Sequence, residues 1–288
     1  MKVLQRLLLL AYFVVATLPL AWMAVTSLKT RDDAISLDPR VVPLPSADSG
    51  PHAPLTFAAT TDVFRRLSHV HVGAEEDFWS YFWNSAFIGL GSTLASVVLG
   101  TLAAYGFSRY PIAGAKDWLF FILSTRFMPP LAVVVPVLLM YRQLDLQGTH
   151  AGLVLLYTVF NLSLSVWLMK GFLDEIPRAY EEAALVDGWS RTQTFLRIVL
   201  PEARTGMAVT AVFCLISAWN EYGFAMTLNS SGAVTVPAYF AGLQGNIEGM
   251  PWPQIAAGAL LFVLPIVVFT IAVRRHLLRG MTFGTIKQ

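Results

Sequence analysis

The chain has 288 residues, of which 56% are apolar and only 13% charged, and its formal net charge is +2. Soluble domains carry about 25% charged residues, so this composition excludes an ordinary soluble domain and indicates a membrane protein. The single cysteine, Cys214, excludes an internal disulfide.

Six segments are long and apolar enough to cross a membrane, which takes about 20 mostly apolar residues. They are residues 7–26, 81–106, 118–140, 151–169, 205–228 and 255–273. Lys2 and Arg6 precede the first span as in a signal peptide, but its apolar run is longer than a signal requires, and we interpret it as a retained anchor. The pattern predicts an all-α, polytopic membrane protein with six transmembrane helices.

The segment between the first two spans, residues 29–80, is too long for a plain connector and has too few apolar residues for a separate large domain. We expect it to form a small cap outside the membrane, ordered in part by four aromatic side chains. These are Phe57, Phe64, Trp79 and Trp83.

The second span carries a stripe of small residues at strict four-residue spacing: Ser92, Ser96, Gly100 and Ala104. Such a stripe occupies one helix face and lets a neighbouring helix approach closely. We interpret it as a packing surface rather than a binding site.

Polar residues inside the spans point to a substrate pathway, because intramembrane charge is costly and is usually functional. Arg126 lies in the third span, beside Pro129, Pro130 and Pro136, which we expect to break that helix. The fifth span carries the other charge, Glu221. Two neutral amides, Asn161 and Asn220, accompany these charges. Arg126 and Glu221 either form an ion pair that ties helices together or separately line the path.

The polar loop between the fourth and fifth spans, residues 174–201, has strong helix signals. Pro177 suits a first helical turn, and Gly188 suits a left-handed helix end eleven residues later. Ser190 and Gln193 form a capping box that starts a second short helix. The loop is therefore predicted to be a helix, a glycine turn and another helix, followed by Pro201.

Seven residues of this loop match the pattern E-A-A-x3-G-x9-I-x-L-P. They are Glu182, Ala183, Ala184, Gly188, Ile198, Leu200 and Pro201. The pattern resembles the signature of membrane subunits of bacterial ATP-binding-cassette (ABC) importers. Trp219-Asn220-Glu221 resembles carbohydrate-importer permeases, and the tail RGMTFGTIKQ resembles that of the shorter permease subunit of maltose-type importers. The STRFMPP stretch around Arg126 resembles permeases for polyols and small sugars.

The resemblance implies a type I ABC importer permease fold, in which the loop is a coupling helix that docks on an ATPase subunit. Glu181 and Asp187 join the seven motif residues as coupling residues. The implied partners are a second permease subunit in a heterodimer, two copies of an ABC ATPase, and a periplasmic or lipid-anchored substrate-binding protein. The implied substrate is small, uncharged and polyhydroxylated, the surroundings are membrane lipid, and no nucleic acid is expected.

No catalytic residue is expected on this chain. None of its five lysines follows a glycine, so it has no Walker A phosphate loop. We therefore expect no cofactor here, with ATP and Mg²⁺ held by the partner ATPase subunits, and no metal site, since His69 and His71 are too few ligands.

Positive charge indicates the orientation in the bacterial inner membrane. With a cytoplasmic N-terminus, the inner segments hold 13 Lys and Arg residues and the outer segments 6. Both termini and the loop are therefore predicted to be cytoplasmic. The expected organisation is residues 1–28 (N-terminal end and first span), 29–80 (periplasmic loop), 81–276 (five-helix core) and 277–288 (cytoplasmic tail).

Two alternatives to a sugar or polyol importer remain at this point. One is an ABC permease for another small solute, such as an osmolyte, a glycerol derivative or a peptide. The other is an ion-coupled secondary transporter, for which Glu221 is the one intramembrane acid.

Overall fold

The computed structural model describes residues 2–44, 55–69, 76–243 and 249–282, and this part of the chain is mostly helical. The helices are α1 (Lys2–Thr26), α2 (Arg31–Ile35), α3 (Asp62–Arg66), α4 (Phe78–Arg109), α5 (Ala115–Ser124), α6 (Pro130–Gln143), α7 (His150–Asp174), α8 (Arg178–Val186), α9 (Arg191–Thr194), α10 (Leu200–Glu202), α11 (Arg204–Trp219), α12 (Gly223–Leu228), α13 (Val236–Gly242) and α14 (Trp252–Thr282). Two strands, β1 (Val42–Leu44) and β2 (Thr56–Ala58), pair in parallel. The predicted all-α fold is confirmed, with this small sheet as an addition.

Among the described residues, four helices are long and apolar enough to cross a membrane alone: α1, α4, α7 and α14. Two further stretches qualify only as bent pairs of helices. One is Ala115–Phe127 with Ala132–Gln143, bent by 92°, and the other is Arg191–Glu202 with Arg204–Trp219, bent by 68°. Counting each bent pair as one span gives six in the described residues, but the second pair starts at Arg191, inside the loop, and not at residue 205 as expected.

The third span is broken where its prolines begin. A 3₁₀ turn at Thr125–Phe127 follows α5, the backbone is extended at Pro129, and α6 starts at Pro130. A proline at a first helical position loses no hydrogen bond, since that N–H has no partner in the helix. The expectation for Pro136 was wrong, because α6 continues through it.

The fifth predicted span, residues 205–228, is not one helix. The 16 residues of α11 extend about 24 Å, short of the roughly 30 Å of a bilayer core. The chain leaves the helix at Asn220–Tyr222 and resumes as α12. Glu221 therefore lies in a helix break, as Arg126 does, rather than inside a regular span.

The chain divides into two compact units: Met1–Phe82 with Tyr239–Pro265, and Trp83–Ala238 with Ile266–Gln288. The first unit contains the segment expected to form a cap. Phe57 is fully buried there, and the Trp79 Nε1–H donates to the Ser68 hydroxyl at 3.2 Å. Trp83 belongs to the second unit and is 66% exposed.

A buried cation holds the start of the same segment. Lys29 is 4% exposed, and its ammonium lies 4.6 Å from the centre of the Trp22 ring and 5.6 Å from that of Phe57. Aromatic faces attract a cation in this geometry. Burial lowers the pKa of Lys29, and nearby Asp33, which is ion-paired with Arg40, acts in the opposite direction.

The second unit is built around α7, and the small-residue stripe of α4 packs on it. The Ser96 hydroxyl donates to the Thr158 carbonyl of α7 at 3.2 Å. A side chain at Gly100 would collide with Ser165. The stripe is therefore a packing surface, as its spacing predicted.

Candidate functional site

The two helix breaks of the second unit meet at a cavity of about 230 Å³. The break after α5 contributes Arg126 and Met128, and the break after α11 contributes Glu221. Aromatic and hydroxyl groups complete the lining, among them Tyr157, Phe160, Ser217 and Phe224. Broken helices in membrane proteins are tolerated where they line such a cavity, because the cavity or nearby protein satisfies the freed backbone groups.

The Arg126 guanidinium is held by three groups of neighbouring helices. One terminal nitrogen, Nη1, donates to the Phe160 carbonyl at 3.2 Å and to Asn161 Oδ1 at 3.3 Å. The other, Nη2, donates to the Ser217 hydroxyl at 3.1 Å. A guanidinium has five N–H donors. The Nε–H and one Nη2–H thus have no acceptor within the described part of the chain.

Glu221 has a different role, as the cap of α12. Its Oε1 accepts the Phe224 amide at 2.9 Å, and its Oε2 accepts the Ala225 amide at 3.1 Å and the Tyr157 hydroxyl at 2.6 Å. These amides open a helix and lack partners within it. The expected alternative of an Arg126–Glu221 ion pair is wrong: each group has its own partners, and no ion pair joins the two.

The two predicted asparagines lie in different surroundings, and only one of them lines the cavity. Asn161 is 2% exposed and lines the cavity, where it accepts from Arg126 and donates to the Cys214 carbonyl at 3.2 Å. Asn220 is exposed and donates to the Ile216 carbonyl one turn back in α11, away from the cavity lining.

Sequence reasoning missed the aromatic lining of the cavity. Tyr157 precedes Asn161 by four residues on α7, and Phe224 follows Glu221 by three. These helical spacings from a predicted site residue are a signal that would have found both.

The first helix of the loop, α8, begins directly after Pro177 and ends at Val186, and Gly188 adopts the expected left-handed conformation just beyond it, with a φ of +85°. The Gly188 amide bonds to the Leu185 carbonyl at 3.1 Å, and the Trp189 amide bonds to the Ala184 carbonyl at 3.0 Å. This pair of hydrogen bonds closes a helix end, and it requires a left-handed conformation at the first of the two donor residues, here Gly188. The capping box of Ser190 and Gln193 is also present.

The second helix of the loop is less regular than predicted. After α9 the chain forms a π-helical turn, Phe195–Val199, and helix α10 then runs through Pro201 instead of ending before it. The turn packs into a cluster of buried residues drawn from α4, α7 and the loop. These are Ala104, Met169, Leu173, Phe195, Val199 and Ala203, with Leu200 against them.

The predicted coupling residues lie on opposite sides of the loop. Several are exposed: Glu182, Ala183, Asp187, Gly188 and Pro201. Ala184 is buried, and Ile198 and Leu200 are half-buried. Glu181 is buried as well, ion-paired with Arg109 at the end of α4. Arg109 is one of the 13 positively charged residues that the sequence places on the inner side, and its pairing with Glu181 was not predicted.

Two predictions fall partly outside the described residues. The end of the tail, residues 283–288, lies outside them, and so does His71. Among the residues that are described, no group of three or more His, Cys, Asp and Glu side chains has the arrangement of a metal site.

The chain matches the family model described as the binding-protein-dependent transport system inner membrane component over residues 96–282. It is 31% identical to the probable ABC transporter permease protein y4oR of Sinorhizobium fredii, over 93% of this chain and 90% of that protein. It is also 31% identical to the trehalose transport system permease protein SugB of Mycobacterium tuberculosis, over 94% and 93% of the two chains.

A solved structure supports the fold. A chain from the crystal structure of a bacterial ABC transporter involved in the import of the acidic polysaccharide alginate superposes with a TM-score of 0.71, covering 95% of both chains at 21% identity. At that identity the likeness concerns the fold alone. On the family match and the two relatives, the chain belongs to the binding-protein-dependent transport system inner membrane components and is a multi-pass transport subunit of the inner membrane.

Proposed function

We propose that this chain is the permease subunit of an ATP-driven importer for an uncharged sugar or polyol, and that its substrate passes the cavity at Arg126. Family membership favours this importer over an ion-coupled transporter. The relative named for trehalose transport supports a sugar as the substrate class.

The observation that carries the proposal is the pair of Arg126 N–H donors that the described protein groups leave unused, beside aromatic rings. A sugar or polyol presents hydroxyl oxygens that accept such donors, and the faces of its rings or carbon chain pack on Tyr157 and Phe160. Glu221, whose oxygens accept three bonds from the protein, is instead a structural cap of the cavity wall.

ATP hydrolysis belongs to a separate subunit in this proposal, with ATP and Mg²⁺ bound there. The loop would meet that subunit through the exposed side of α8, where Glu182 and Ala183 lie and Val186 is 88% exposed. The remaining partners are those of an importer of this family: a second permease in a heterodimer, a second ATPase copy and a substrate-binding protein that delivers the sugar. The tail, residues 277–288, would extend toward the ATPases.

An uptake experiment tests this function. The chain is coexpressed with the transport genes that flank its own, and the purified complex is reconstituted in proteoliposomes with the binding protein outside. Radiolabelled trehalose and sorbitol are supplied in separate assays, with enclosed ATP, with enclosed non-hydrolysable ATP analogue, or with a proton or sodium gradient alone. ATP-dependent uptake of one of them supports the proposal. Uptake that an ion gradient drives without ATP contradicts it.

The proposed orientation makes a separate prediction about thiol labelling. In a Cys214→Ala background, Leu37→Cys should react with a membrane-impermeant thiol reagent in intact cells, and Ser190→Cys should react only after lysis. Both positions are exposed, Leu37 fully, so burial does not limit either reaction. Labelling of position 190 from outside intact cells would overturn the orientation.

A further inference from the structure

The last turns of α4 carry three polar residues: the side chains of Tyr105 and Arg109 bond to α8, and that of Ser108 bonds to the end of α7. Tyr105, Ser108 and Arg109 are spaced three and four residues apart, so their side chains are neighbours on the helix surface. Arg109 Nε donates to Glu181 Oε1, and the Tyr105 hydroxyl donates to Glu181 Oε2 at 2.9 Å. Both carboxylate oxygens of Glu181 are thus held by α4.

Backbone carbonyls also connect the two helices: a side chain of α4 donates to a carbonyl next to α8, and a side chain of α8 donates to a carbonyl of α4. Arg109 Nη2 donates to the Ile176 carbonyl, just before α8, at 3.0 Å. Arg178, in the first turn of α8, donates to the Ser108 carbonyl at the end of α4 at 2.8 Å. The Ser108 hydroxyl donates to Asp174 at 2.6 Å, which adds the end of α7. The start of α8 is therefore attached to α4 at several points.

Burial distinguishes this ion pair from an ordinary surface pair. The Arg109 side chain is 8% exposed and that of Glu181 is 11% exposed. A pair withdrawn from water requires well-directed partners for both charges, and removal of one partner leaves the other charge uncompensated. The pair consequently fixes one geometry between α8 and α4.

The other end of α4 is attached to a distant part of the same unit. Asn84 Nδ2 donates to the Val234 carbonyl at 3.0 Å, and the Ser85 hydroxyl accepts the Val236 amide at 2.9 Å. Asn84 and Arg109 are about 38 Å apart along a continuous helix. Because α4 is one continuous helix, a displacement of one of its ends also displaces the other end.

We propose that Arg109 is a positioning residue that joins α8 to α4 through Glu181, so that a force on the exposed side of α8 moves α4 as a rigid rod. This inference rests on the proposed function, in which the ATPase acts on α8. It names α4 as the span that receives the movement and the Arg109–Glu181 pair as the joint that transmits it.

Four variants of the complete reconstituted importer test the joint: Arg109→Met, Glu181→Gln, the charge exchange Arg109→Glu with Glu181→Arg, and the control Lys170→Met. The control removes a nearby ion pair between Lys170 and Asp174, 2.5 Å long and more exposed, within α7 itself. The readout is the number of substrate molecules imported per ATP hydrolysed, which a variant that merely lowers the amount of complex does not change.

We expect Arg109→Met and Glu181→Gln to lower this ratio by about 5-fold, within the usual range for residues that carry coupling between sites. The charge exchange should restore most of the ratio, and Lys170→Met should match the unmodified protein. An unchanged ratio in Arg109→Met would overturn the proposal. If that variant fails to assemble, the isosteric Glu181→Gln variant decides in the same way.

Amide hydrogen exchange separates a failure of this inference from a failure of the proposed function. In the purified chain, Arg109→Met should accelerate exchange across α8 but not in the middle of α7, whether or not the importer uses ATP. Unchanged protection of α8 would show that the pair does not hold it, and the joint would be wrong. Missing ATP-dependent uptake in the unmodified complex would instead refute the proposed function.

Discussion

Replacement of Arg126 with methionine should lower substrate uptake by about 10- to 100-fold, while the amount of assembled protein stays normal. Methionine keeps most of the side-chain length and removes the charge. A hydrogen bond from a charged donor contributes about 1.5–3 kcal/mol, which corresponds to this range of rates when the bond is made to the passing substrate. The measurement is uptake by proteoliposomes, beside the yield of purified complex.

Normal assembly is expected because Arg126→Met leaves no buried charge without a partner. Glu221 keeps its bonds from Tyr157 and from two backbone amides. Asn161 keeps its bond to the Cys214 carbonyl, and the Ser217 hydroxyl can rotate to another acceptor. Arg142→Met is the matched control, because Arg142 is exposed and bonds only to Gln147 among the described residues. Normal uptake in Arg126→Met would contradict the pathway role, and loss of the complex would show that the residue is structural.

Replacement of Gly188 with valine should abolish the stimulation of ATP hydrolysis by substrate, while the chain still inserts in the membrane. A Cβ at Gly188 would have no atom within 4 Å, so the effect does not come from a collision. It comes from the φ of +85°, at which an L-residue costs roughly 1–2 kcal/mol and a β-branched residue is strained further. The strain opens the turn that fixes α8 against α9.

Gly188→Asn is the matched control for this prediction. Asparagine adds a side chain at the same position but tolerates the left-handed conformation, so it should retain most of the coupled hydrolysis. ATPase activity of the reconstituted complex, with and without binding protein and substrate, measures the difference. Full stimulation in Gly188→Val would remove the loop from the coupling role, and equal loss in both variants would show that exposed bulk matters rather than backbone conformation.

The features that the sequence determined by itself are those that act over a few residues. The glycine turn at Gly188 and the capping box at Ser190 form in the structure because each is a contact within one helical turn. The break at Pro129 and Pro130 is also local, because it depends on the prolines themselves and not on distant residues. The four long apolar helices α1, α4, α7 and α14 followed from composition and length, since about 20 apolar residues are needed wherever a helix crosses a membrane.

Only the tertiary structure decided which polar groups meet. Arg126 and Ser217 are 91 residues apart, and Arg109 and Glu181 are 72 residues apart. Whether such groups touch depends on the rotation and register of whole helices. Helix α7 is apolar on nearly every side, so its periodicity does not reveal which face lines the cavity. The same limit explains why the helix break at Glu221 was not predicted, because that break depends on a carboxylate that caps α12 and on Tyr157 of α7. It also explains why the sequence left two alternatives open for Arg126 and Glu221, since only the folded chain brings each of them the partners that exclude an ion pair.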